Sequence, residues 1–84
     1  MNNLEGNIVL TLEQWRKLRG LTQESLAKKV GVTTRSIGKY ERDVQQLESA
    51  QYSTIRKIAE VLDIEIHNLY LDSTKEKPEF KVGG

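Results

Sequence analysis

Apolar residues recur at three- and four-residue spacing in several short stretches of the chain, separated by polar breaks, which is the signature of a bundle of short helices rather than of strands. Leu12 and Trp15 face one way with Leu18 flanking them; Thr11 and Gln14 form a capping-box pair at the start of this first helix and Gly20 stops it. Leu26, Ala27 and Val30 share a face of a second helix, capped by Thr22 and ended by Gly31, a residue suited to a left-handed terminus. The chain restarts at once with Thr33 as cap of a third helix that points Ile37 and Tyr40 inward. The most regular stripe is Tyr52, Ile55, Ile58, Ala59 and Leu62, with Ser49 as its expected cap and Asp63 as its break. Ile64, Ile66, Leu69 and Tyr70 predict a short fifth helix that closes the core or offers apolar surface to a partner.

Residues 21–42 organise the rest. Two short helices joined by a tight turn make a helix-turn-helix, and the third helix leaves Thr34, Arg35, Ser36, Gly38 and Lys39 outward, a small, polar and basic face of the kind that enters a DNA major groove. Gly38 inside that helix costs about 1 kcal/mol against alanine, which a close approach to DNA would explain and an unoptimised position would explain equally. Residues 43–49 hold neither proline nor glycine and are expected as a polar connector. At the amino end, residues 1–10 form an arm whose Ile8-Val9-Leu10 run suits a short strand, a lid over the core or a dimerisation arm alike. Residues 11–71 are the expected domain. Residues 72–84 are charged, carry the one proline and lack a helical stripe, so they read as a polar flexible tail; the terminal Gly83-Gly84 is an ordinary chain end.

With 84 residues the chain makes one domain with a small core, and 30% charged residues give it a polar surface. It shows no apolar run long enough for a membrane and no secretory signal pattern, so a cytoplasmic protein is expected. The net charge of +1 conceals a division. Residues 11–42 carry eight basic residues against three acidic ones, whereas residues 43–72 carry two against six. A basic half that coincides with a helix-turn-helix is a phosphate-facing surface in the making. Chemistry of other kinds finds little support. There is no cysteine, one histidine (His67, with no second ligand at metal spacing), no glycine-rich loop before a helix and no clustered carboxylates, so no enzyme, metal or cofactor is expected.

At these positions the sequence resembles the Cro/CI-type, or XRE, family of phage repressors and small bacterial regulators. The resemblance runs from Leu12 to Tyr70 and rests on Trp15-Arg16, Gly20-Leu21-Thr22-Gln23, Leu26-Ala27, Gly31-Val32-Thr33, Ile37, Tyr40-Glu41, Ile55, Ile58-Ala59 and Leu62 in that order. It implies an all-α, lambda-repressor-like DNA-binding domain of about five short helices. It further implies that Thr34, Arg35, Ser36 and Lys39 reach base edges, Arg35 by donating two hydrogen bonds to guanine and Thr34 by packing its methyl on thymine. Thr22, Gln23, Lys28, Thr33 and Arg42 are the implied phosphate contacts, Gln23 aided by the amino terminus of its helix. Arg16 and Glu41 match a pair that forms a salt bridge between the first and third helices of this family. The chain departs from the family after Glu41: Asp43 replaces a glycine and the connector is about three residues longer, and Asp43 and Glu48 would repel phosphate unless turned away.

The expected function is therefore sequence-specific double-stranded DNA binding by a small bacterial or phage transcriptional regulator, a repressor in this reading, acting as a homodimer on a near-palindromic operator. The alternative is a protein-binding antirepressor or antitoxin-like module on the same fold, for which Ile8-Val9-Leu10, the long connector and the apolar fifth helix leave surface.

Overall fold

The computed structural model describes residues 6–79; the Gly83-Gly84 end and the first five residues of the arm lie outside them. Five α-helices follow in order, α1 (Leu12–Leu18), α2 (Gln23–Val30), α3 (Thr34–Arg42), α4 (Val44–Glu48) and α5 (Tyr52–Leu62), and a 3₁₀ turn (Ile66–Asn68) comes after them. The all-helical class is as the sequence predicts.

The first three helices begin as their residues dictate. Thr11 Oγ1 accepts from the backbone N–H of Gln14 at 3.1 Å while the Gln14 side-chain oxygen accepts from the N–H of Thr11 at 2.9 Å, the complete capping box. Thr22 and Ser25 make the same reciprocal arrangement at α2, and Thr33 caps α3 through the N–H of Ser36. Between α2 and α3, Gly31 adopts φ 91°. That left-handed residue lets the N–H groups of Gly31 and Val32 both return to the carbonyl of Ala27, so the helix is closed within two residues and the next can start.

The core takes one face from every element: Leu12 and Trp15 from α1, Leu26 and Ala27 from α2, Ile37 from α3, Leu47 from α4, and Ile55, Ile58, Ala59 and Leu62 from α5. Helix α2 packs between α3 and α5. Val30 and Tyr40 lie at its margin, half-buried.

Several expectations are corrected. Residues 43–49 are not a simple connector: they form α4, because the Asp43 carboxylate caps the N–H of Gln45 at 3.0 Å and Leu47 plugs into the core. With only one fully buried residue in five, this helix carries no periodic stripe to read. Ser49 consequently ends α4, and α5 starts at Tyr52, its N-cap residue Gln51 making no side-chain cap. Tyr52, the first residue of α5, is 67% exposed, and the buried face begins at Ile55. The expected fifth helix shrinks to the 3₁₀ turn, since Asp63 adopts a left-handed φ of 58° and the chain beyond it runs alongside the amino-terminal segment.

That meeting defines the Ile8-Val9-Leu10 run. Leu10 is buried and forms an isolated parallel bridge with Leu69, its N–H donating to the carbonyl of Asn68 and its carbonyl accepting from Tyr70. Asn68, fully buried, donates to the carbonyls of Gly6 and Ile8 and accepts from the N–H of Glu65. Its own carbonyl also accepts from the indole N–H of Trp15 at 2.7 Å. Ile8 and Val9 remain exposed. His67, also exposed, meets the carbonyl of Gly6. At the other end, residues 72–79 lie back over the domain, with the carbonyl of Pro78 accepting from the Gln14 side chain at 3.1 Å.

Candidate nucleic-acid interface

Glu41, in the last turn of α3, joins three helices. Its carboxylate accepts from Arg16 Nε at 2.6 Å and Arg16 Nη2 at 3.1 Å, and from Gln23 Nε2 at 2.9 Å. Arg16 Nη1 then donates to the carbonyl of Leu21, on the link between α1 and α2. The planar guanidinium fork matches the two carboxylate oxygens, a geometry that a lysine could not supply. The paired side chains are 11% and 4% exposed. The hydrogen bond from Arg16 to Glu41 raises the arginine's proton affinity, against the opposing effect of burial and with the carboxylate charge adding to it. The consequence is orientation: α3 cannot roll relative to α1 and α2 without breaking a buried charged pair.

The opposite side of α3 is free. Thr34, Arg35, Lys39 and Arg42 are exposed, Ser36 is half-buried, and Thr22, Lys28 and Thr33 are exposed around them. Among the described residues, Lys28, Arg35, Lys39 and Arg42 make no side-chain hydrogen bond or ion pair. Arg35 and Lys39 stand one turn apart, so their side chains rise from the same strip of helix. Arg35, Lys39 and Arg42, unpaired cations on one exposed helix, repel one another and gain from a polyanion that lies across them.

Three candidates stand differently from the rest. Gln23 is half-buried, and its amide N–H is committed to Glu41, so any phosphate contact by its side chain must share the amide with that carboxylate or use the N–H groups at the start of α2. Gly38, expected outward, is buried. A Cβ there would lie 3.3 Å from Arg42 Nη1 and 3.9 Å from both terminal atoms of Gln23. Glycine therefore makes room for the side chains of Gln23 on α2 and Arg42 in the next turn of α3. The Thr33 hydroxyl is also engaged, lying 2.9 Å from the Ser36 hydroxyl.

The acids after Glu41 are turned to backbone N–H groups. Asp43 caps α4, and a Glu48 carboxylate oxygen accepts from the N–H of Ser73 at 3.3 Å. One contact was outside the reach of sequence patterns: Arg19 lies over the Trp15 ring, 5.2 Å from its centre, and donates to the carbonyl of Leu62 at the end of α5. No spacing in the sequence connects residues 19 and 62.

A helix-turn-helix family model matches residues 12–69, from the first residue of α1 to the residue after the 3₁₀ turn. The chain belongs to the XRE-type helix-turn-helix family. The HTH-type transcriptional regulator SinR of Bacillus subtilis is 35% identical over 65 residues, a match covering 77% of this chain and 56% of that protein. SinR of Bacillus licheniformis is 32% identical over 69 residues, covering 82% of this chain and 59% of the relative. The chain thus spans a little over half the length of these relatives. Among solved structures, the N-terminal DNA-binding domain of the master biofilm-regulator SinR from Bacillus subtilis superposes with a TM-score of 0.58 at 29% identity, over 80% of this chain and 93% of that one. The family resemblance read from the sequence is borne out. The family is one of transcriptional regulators rather than an enzyme class. No helix among the described residues is long and apolar enough to cross a membrane.

Proposed function

We propose that the chain binds double-stranded DNA in a sequence-specific manner and acts as a small bacterial or phage transcriptional regulator, a repressor, in the cytoplasm. One observation carries this reading: α3 is locked on one side by the Arg16–Glu41–Gln23 network and presents unpaired Arg35, Lys39 and Arg42 on the other. A helix held rigidly at its back and cationic at its front suits insertion into a major groove, where phosphates orient it and a few side chains read bases. In this reading Arg35 donates to guanine, Thr34 meets a thymine methyl, and Ser36 and Lys39 extend the base contacts, while Thr22, Gln23, Lys28, Thr33 and Arg42 face phosphate.

A single module of this size gives modest affinity, so the functional unit is a homodimer that reads two half-sites about 34 Å apart on a near-palindromic operator. A second reading, a protein-binding antirepressor or antitoxin-like module, draws on the exposed Ile8 and Val9 beside half-buried Ile66 and Leu71. Selection of bound sequences from a random duplex pool, followed by titration at two salt concentrations, separates the two. A DNA reader yields a motif with two-fold symmetry and loses affinity steeply with salt. Recovery of no motif, with partner binding insensitive to salt, favours the protein-binding module.

A further inference from the structure

The segment after Tyr70 is a strap with a definite course. Tyr70 Oη donates to the carbonyl of Lys75 at 2.6 Å, the N–H of Lys75 donates to the carbonyl of Asp72, the N–H of Ser73 donates to Glu48, and Gln14 Nε2 donates to the carbonyl of Pro78. The hydroxyl and then the N–H of Thr74 bond to the Asp72 carboxylate and hold it below its ordinary proton affinity. Proline at position 78 confines Lys77 to an extended backbone.

The strap separates its two lysines. Lys75 borders a depression formed by Val9, Ile66, Leu69 and Leu71 on the amino-terminal side of the domain. Lys77 instead borders a cleft of about 220 Å³ whose other walls include Thr11, Tyr40, Arg42 and Asp43. It shares this cleft with Arg42, the last residue of α3. Its charge also reaches α1: Glu13 is held below its ordinary proton affinity first by a hydrogen bond from Lys17, and also by the charges of Arg16 and Lys77. The Asp43 carboxylate, the acid in this cleft, is bound to the N–H of Gln45 at the start of α4.

We infer that Lys77, carried by the folded-back strap, is a DNA-phosphate contact that acts with Arg42 at the carboxyl end of α3. The inference rests on the DNA-binding reading above. When a recognition helix lies in a major groove, the sugar-phosphate backbone passes its ends, and cations flanking its last turn meet phosphate. After Arg42 this chain supplies acids where a basic loop would serve: Asp43 caps α4 and Glu48 ends it. The strap returns a positive charge to that edge from a part of the sequence about 35 residues away, counting from Arg42 to Lys77.

The two lysines of one strap make the test internal. Binding of the full chain to a fluorescent mixed-sequence duplex is measured as a function of salt for the parent and for K77A, K77R and K75A, with thermal unfolding recorded for each. K77A is expected to lower the slope of log affinity against log salt by about 0.9, one phosphate contact, so that the parent loses about threefold more affinity than K77A between about 50 and 200 mM salt. K77R keeps the parental slope, K75A keeps it too, and all variants unfold with the parent. Equal slopes for K77A and the parent, or equal losses in K77A and K75A, overturn the inference and leave the DNA-binding reading standing. A parent whose binding does not depend on salt overturns that reading itself.

Discussion

Two junctions hold this domain together, and they are made of different materials. At the first, α1, α2 and α3 meet through side chains: Glu41 takes three hydrogen bonds from Arg16 and Gln23 in a nearly water-free position. At the second, residues 6–10 meet residues 65–70 through backbone groups and one buried amide, Asn68. The charged junction gives direction, because a bidentate fork fixes the angle at which α3 stands. The amide junction gives closure, since it places a short extended segment under the core and satisfies N–H and carbonyl groups that would otherwise be stranded. The side that presents α3 is thus built for orientation and the side that seals the termini for satisfaction of hydrogen bonds.

Breaking the first junction has the largest expected effect. Glu41→Ala strands a buried guanidinium and is expected to cost about 3–5 kcal/mol in urea unfolding, whereas Arg16→Met combined with Glu41→Leu removes both charges and costs much less. A double variant as unstable as the single one would show that the pair matters through its charge and not through the stranded partner. The second junction should yield less. Asn68→Ala leaves two carbonyls and one N–H without their side-chain partner and is expected to cost about 1–3 kcal/mol, with loss of hydrogen-exchange protection at the amides of Leu10 and Tyr70 while those of α2 and α3 retain theirs. Uniform loss of protection across the domain would mean that the two junctions are one cooperative unit.

Arg19→Ala sharpens the comparison at the border between them, by removing the cation over Trp15 and the donor to the carbonyl of Leu62; about 1 kcal/mol is expected, read as a shift of the urea midpoint with an unchanged slope. The smallest effect is expected at Gly38→Ala. The helical preference of alanine favours the variant by up to about 1 kcal/mol, and the nearest obstruction, 3.3 Å away, is the end of the exposed Arg42 side chain, which can swing aside. Stability should rise slightly, while affinity for a DNA duplex falls because Arg42 is displaced. A fall in stability would place the strain at Gln23 and so return the site to the Glu41 junction.

Which parts of this were legible follows from what each part is made of. Helices with a repeating buried face, α1, α2 and the span from Ile55 to Leu62, announce themselves by spacing, and their caps by residue type. The Arg16–Glu41 pair was reached through resemblance rather than spacing, since nothing local links residues 16 and 41. Helix α4 escaped because it buries Leu47 alone, and a single contact has no period. The apolar residues after Asp63 suggested a helix because periodicity cannot separate a short helix from a 3₁₀ turn followed by a bridged extended segment.

The sequence by itself determined the helix-turn-helix: threonine caps, the left-handed Gly31, the buried stripes and the basic strip on α3 are local properties, fixed by interactions between residues a few positions apart. Only the tertiary structure decided that Gly38 serves Gln23 and Arg42, that Asp43 caps α4, that Leu10 seals against Leu69, and that the strap brings Lys77 to the cleft that Arg42 lines. Those arrangements depend on contacts between distant residues, whose partners are chosen by how the helices pack and by which backbone groups remain to be hydrogen-bonded once they have.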